Sequence, residues 1–119
     1  MRLDARCFIV VGVIIATGLL RAGAAEASPD ALVADAQRAE AALDTPRALE
    51  LYLAADRARP NDAFILQKIA RQHSDLIPDR KDTAGRAALA KTALSYAERA
   101  VALQPDNAVN VLSIAICRG

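Results

Sequence analysis

The sequence predicts an all-α chain of antiparallel helix hairpins behind a secretory targeting segment, and three observations predict it. Alanine, the best helix former and a poor strand residue, supplies 28 of the 119 residues. Phe, Tyr and Trp together supply four, so a core has to come from close backbone approach rather than aromatic bulk. Helix-start residues recur along the chain, and the local sequence around one helix end returns further on.

The first element is the targeting segment, residues 1–27. Arg2 and Arg6 precede an uncharged run from Cys7 to Leu20, and Arg21 to Ala27 is small and alanine-rich, which is the plan of a secretory signal peptide. The run of 14 residues is about 21 Å long as a helix, short of the roughly 30 Å hydrocarbon slab. Ala25-Glu26-Ala27 suits cleavage after Ala27, with Ala25 as a second choice; retention as an N-terminal membrane anchor is the alternative. Residues 28–119 are then periplasmic or secreted. Cys117 is their only cysteine, so they hold no internal disulfide, and between Ile114 and Ile116 it is expected to be a buried structural thiol. Of 15 Lys+Arg and 14 Asp+Glu, three and two fall in the first 27 residues, which leaves 12 of each and no net charge. A neutral domain lacks the charge footprint of a nucleic-acid binder.

The helices follow from their start signals. Ser28-Pro29, Thr45-Pro46, Asn61-Asp62, Thr83 and Asp106-Asn107 each precede an alanine- and leucine-rich stretch. They predict helices at 29–43, 46–58, 62–76, 84–103 and 107–118. Apolar residues in each keep helical spacing: Leu32, Ala36 and Ala39; Leu49, Tyr52 and Leu53; Leu66, Ile69, Ala70 and His73; Leu89, Ala93, Ala97, Ala100 and Val101; Leu112, Ala115 and Ile116.

Ala55-x4-Pro60 and Ala100-x4-Pro105 stand in matching contexts, each a helix end, a proline, an acidic or amide turn and a new helix. On these residues the chain resembles the tetratricopeptide repeat, a 34-residue helix-turn-helix unit. The resemblance implies an α-solenoid of about two and a half repeats: 29–62, 63–107 and a partial unit 108–119. Small or packing positions fall on Ala36, Ala48, Tyr52, Ala55 and Pro60, then on Ala70, Ala93, Ala100 and Pro105, then on Ala115. The second unit is 11 residues longer than the pattern, an insertion placed in or beside 77–85, and Ala97 stands where an aromatic is usual. A looser resemblance, carried by Ile69 to Leu76, Ala97 to Pro105 and Leu112 to Cys117, is to regulator of microtubule dynamics proteins and similar secreted bacterial proteins. That family implies helix pairs serving as interaction surfaces.

Catalytic motifs are lacking. No glycine-rich nucleotide loop occurs, and the single histidine, His73, permits no H-E-x-x-H or Cys-His pair and is expected to pack as a stand-in for tyrosine. Asp79-Arg80-Lys81-Asp82 lacks the spacing of a calcium loop and is expected to be a solvated connection. The expectation is a non-enzymatic chain with no cofactor and no metal. The tetratricopeptide resemblance implies a concave face lined by first helices: Val33, Gln37 and Glu40 in the first unit, Phe64, Gln67, Lys68, Arg71 and Asp75 in the second, and Val109 and Leu112 in the partial third. Lys68 and Arg71 share a face and could hold a carboxylate. The implied function is a protein–protein interaction module with a protein or peptide partner. The alternative is a self-associating or truncated remnant of a longer repeat protein, because the last helix is apolar on more than one face.

Overall fold

The computed structural model describes residues 27–119; the segment expected to be a signal peptide, apart from Ala27, lies outside the described residues. Among them are five α-helices and no strand: α1 (Pro29–Ala41), α2 (Thr45–Ala58), α3 (Ala63–Asp75), α4 (Thr83–Leu103) and α5 (Ala108–Arg118), with a short 3₁₀ turn at Ile77–Asp79. Each helix begins on a side chain that accepts from a free first-turn N–H: Ser28 from Ala31, Asp44 from Arg47, Asp62 from Phe64 and Ile65, Asp82 from Gly85, and Asn107 from Val109. Two of these differ from the sequence expectation. Thr45 and Thr83 sit inside the first turn and the preceding aspartates cap instead, because a carboxylate also gains from the positive end of the helix dipole. Gly85 permits the cap on α4, since a Cβ there would lie 2.6 and 2.8 Å from the Asp82 carboxylate oxygens.

Helix ends are set by backbone geometry. After α1 the Asp44 N–H donates to the Ala39 carbonyl and the Leu43 N–H to that of Glu40, a Schellman closure that needs a left-handed residue. Leu43 supplies it with φ 59°. The ends of α2 and α4 repeat each other closely. Arg59 (φ −136°, ψ 81°) donates to Ala55 at 2.8 Å, and Gln104 (φ −139°, ψ 76°) donates to Ala100 at 3.0 Å. Pro60 and Pro105 follow in the exposed turns. The insertion becomes the 3₁₀ turn, an exposed Arg80 to Asp82, and extra opening turns of α4, which has 21 residues against 14 in α2.

In the packing, α1 lies on α2, α2 on α3, α3 on α4, and α5 on both α3 and α4. Alanines sit at these contacts: Ala36, Ala48, Ala55, Ala70, Ala93, Ala97 and Ala100 have no exposed surface. The bulk comes from Leu51, Tyr52, Ile65, Leu66 and Ile69, all at or near full burial and grouped around α2 and α3. Helix α5 departs from the sequence expectation. Leu112, Ala115 and Ile116 face outward, and Asn110, Ser113 and Cys117 face the other helices. The Asn110 amide donates to the Ala100 and Gln104 carbonyls, and the Ser113 hydroxyl to Val109, so these polar groups are buried with partners. Ala36 and Ala70 are covered by α2 and α4 respectively, but no described helix lies on the corresponding side of α5, which leaves Ala115 exposed.

Candidate interaction site

The first helices α1, α3 and α5 stand side by side, and two junctions between them form the candidate site. At the α1–α3 junction the Glu40 carboxylate is the hub. It accepts from the Tyr52 hydroxyl at 2.6 Å, from Lys68 Nζ at 2.9 and 3.2 Å, and from Gln72 Nε2 at 2.7 Å. Tyr52 is fully buried and Gln72 nearly so. Burial alone would raise the Glu40 carboxyl, but the bonds from Tyr52, Lys68 and Gln72 outweigh it and hold it below the usual carboxylate range. Burial, and then the bond to the Glu40 charge, push the Tyr52 phenol far above its ordinary range.

This network changes the expected pairing of Lys68 with Arg71. The Lys68 ammonium is turned onto Glu40, while Arg71 Nε reaches only Asp75, at 3.4 Å between side chains that are 56% and 44% exposed. An exposed pair at that distance holds its partner weakly, so Arg71 is the cation of the two that a ligand can recruit. Phe64 is half-exposed with Lys68 Nζ 5.7 Å from its ring centre, and Gln37 is exposed on α1.

At the α3–α5 junction there is a cleft. Gln67, Arg71 and Ser74 line it from α3, and Val109, Leu112 and Ile116 from α5, with Ser113 and Cys117 at its floor. The repeat explains why it is open. Moving from α1 to α3 advances the sequence by 34 residues and from α3 to α5 by 45, so Ser74 corresponds to Glu40, Ser113 to Lys68 and Cys117 to Gln72. Where the first junction holds a branched polar network, the second holds two hydroxyls and a thiol. The Ser74 Oγ and Cys117 Sγ lie 3.4 Å apart. Gln67 and Arg71 are thus brought to one cleft, whereas Lys68, Phe64 and Gln37 lie outside it. Sequence reasoning placed Glu40, Val109 and Leu112 on this face but not the bonds that make Glu40 a hub or the gap between α3 and α5; the signal available for the gap was the run of small residues on the last helix at places where the second unit has long ones.

His73 lies elsewhere, between α3 and α4, stacked on Tyr96 at 5.8 Å and an interplanar angle of 16°, with Arg99 over the far side of the pair at 5.2 Å from the Tyr96 ring centre. Its buried Nδ1 has no hydrogen-bond partner, and burial holds its pKa below the ordinary imidazole value. Neither cleft serine has it as a base. Among the described residues no cluster of His, Cys, Asp and Glu could hold a metal ion, and no helix is long and apolar enough to cross a membrane. The arrangement can accommodate an apolar side chain against α5 and a carboxylate on Arg71.

A family model described as regulator of microtubule dynamics protein 1-3 matches residues 30–119. No curated protein and no solved structure matches the chain.

Proposed function

The chain belongs to the regulator of microtubule dynamics protein 1-3 family, and on that premise we propose that it is an exported, non-catalytic protein-interaction module built as a short solenoid of tetratricopeptide type. The single observation that carries this reading is the α3–α5 cleft, with an uncovered apolar wall on one side and Arg71 on the other. A wall of Val109, Leu112 and Ile116 offers burial to one or two apolar side chains, at roughly 25 cal/mol per Å² removed from water. Arg71 gives direction, because a planar guanidinium takes a carboxylate in two parallel bonds. The partner class is therefore a peptide segment with an acidic group next to an apolar anchor. Export rests on residues 1–27, and the repeat architecture on the matching ends of α2 and α4.

The test is a selection of displayed random peptides on the full chain, followed by fluorescence anisotropy of an enriched peptide against Arg71→Glu and Leu112→Asp. Enrichment of acidic–apolar sequences whose binding falls at least tenfold in both variants supports the proposal. An enriched peptide indifferent to both variants, or no enrichment at all, overturns it.

A further inference from the structure

Helix α5 uses only one side to join the domain. Asn110, Ser113 and Cys117 point inward, and the rest of the helix surface, a broad arc, carries Ala108, Val109, Val111, Leu112, Ala115 and Ile116, with Val109 and Leu112 each 58% exposed, Ile116 51% and Val111 50%; Val109, Leu112 and Ile116 also border the α3–α5 cleft. No charge interrupts this arc between Asp106, just before the helix, and Arg118 at its end; both are exposed. A partner of another sequence would find no charge there to read along the helix.

We propose that this arc pairs antiparallel with the α5 of a second copy, about a two-fold axis beside Leu112. The sequence of the arc is self-complementary in that register. Ala108 comes opposite the second copy's Ile116, Val109 opposite its Ala115, and Asp106 opposite its Arg118, and symmetry makes each contact twice. Small residues thus face large ones at successive levels, as interdigitating helices require, and at both ends Asp106 meets Arg118, which in its own chain reaches only Glu98 at 3.9 Å in an exposed pair that holds it weakly. A register one turn away sets Leu112 against Ile116, large against large, and moves Arg118 from Asp106 to Asn110. The pairing also continues the existing packing, since Ala36 and Ala70, the counterparts of Ala115 on α1 and α3, are already covered by a helix. It is argued from different observations than the peptide reading, and the two compete, because both use Val109, Leu112 and Ile116.

The test uses the full chain with Cys7→Ser and Cys117→Ser, so that only an introduced thiol can bridge two copies. Under mild oxidation Leu112→Cys is expected to give a covalent dimer as the main product, because the two-fold brings the two Cβ atoms near the 3.5–4.5 Å a disulfide spans. Ala102→Cys, exposed on α4, is expected to stay uncrosslinked. In sedimentation equilibrium of the chain without introduced cysteines, Asp106→Arg or Arg118→Asp alone should weaken association about tenfold, and the double reversal should restore it. No crosslink through Leu112→Cys, an equal crosslink through Ala102→Cys, or a dimer blind to both charge reversals overturns the proposal, as does a monomer that takes a foreign helix on this face. Peptide binding at Arg71 without a Leu112→Cys crosslink removes the dimer and leaves the module; a crosslink together with no peptide binding by the Asp106→Arg chain, whose association is weakened, removes the module alone.

Discussion

Between α1 and α3, Glu40, Lys68 and Gln72 fill the space that separates two first helices; between α3 and α5 the same three places hold Ser74, Ser113 and Cys117, and a cleft remains. The second helices differ in the same sense. Tyr52 lies fully buried in α2 against the Glu40 carboxylate, and its counterpart in α4 is Ala97, with the aromatic volume supplied from the neighbouring position by Tyr96 stacked on His73. The two junctions therefore differ in spacing as well as in side chains, with α3 in closer backbone contact with α5 than with α1. Long polar side chains with mutual hydrogen bonds bridge the first, beside a hollow lined by Leu43, Thr45 and Asp75, and short ones leave the second open.

The largest expected effect tests that asymmetry. Tyr52→Ala removes a fully buried ring and one donor to Glu40, and should cost about 3–5 kcal/mol in urea unfolding. Tyr96→Ala, at a half-buried position, should cost clearly less; equal costs would mean that the aromatic rings of α2 and α4 contribute alike. Next come the paired alanines. Ala70→Leu, at a crossing with no exposed surface, should overpack by about 1–3 kcal/mol, whereas Ala115→Leu, at the corresponding place that no described helix covers, should stay within about 0.5 kcal/mol for the monomer, measured at low protein concentration.

Much of the fold was legible because its signals are local. Each helix falls within two residues of the span that N-cap residues and apolar spacing predict, and the turn at Pro60 and its copy at Pro105 marked the internal repeat. What stayed hidden was decided by distant partners. Glu40 looks like a surface residue in its own helix, and nothing nearby reports that Lys68 and Gln72, 28 and 32 positions on, converge on it. The orientation of α5 was misjudged for a related reason. Leu112 and Ile116 at helical spacing suggest an inward face, but Asn110 and Ser113 find carbonyl partners and so can be buried, which turns the apolar side outward. Of the expected site residues, Gln67 and Arg71 meet at the cleft, and the commitment of Lys68 to Glu40 depends on the α1–α3 contact that no local pattern encodes.

Acid should loosen the α3–α4 contact at His73 before the α1–α3 junction at Glu40. His73 has its folded pKa lowered by burial, so the stability from keeping it neutral is complete above about pH 6.5, the ordinary imidazole value, and is lost as pH falls through the lower folded value. Glu40 follows the same sign at a lower range: burial opposes its ionisation, its three donors prevail, and the stability it gives is complete above about pH 4.5 and lost as pH drops through the depressed folded value. A denaturation midpoint followed against pH should therefore fall in two limbs. His73→Phe should erase the upper one, and Glu40→Gln should shrink the lower to the part left by Asp82, whose carboxylate the Gly85 N–H holds below its ordinary range. An upper limb that survives His73→Phe, or a lower limb unchanged by Glu40→Gln, would sink the assignment.

The smallest effect concerns the turn that delivers α2 to the Glu40 junction. Leu43 closes α1 in a left-handed conformation with φ 59°, and its side chain is 89% exposed, so it gains almost no burial in return for backbone strain. Glycine adopts that conformation without a Cβ clash and keeps both closing bonds, from Leu43 N–H to Glu40 and from Asp44 N–H to Ala39, since these are made by the backbone. Its greater freedom in the unfolded chain works against it, which keeps the net gain small. Leu43→Gly should thus stabilise the chain by about 0.5–1 kcal/mol in urea unfolding, with the pH limbs of Glu40 and His73 unmoved. A loss of stability instead would show that the leucine side chain is held by a contact at this end of α1, on the same side of the molecule as Thr45 and Gln72.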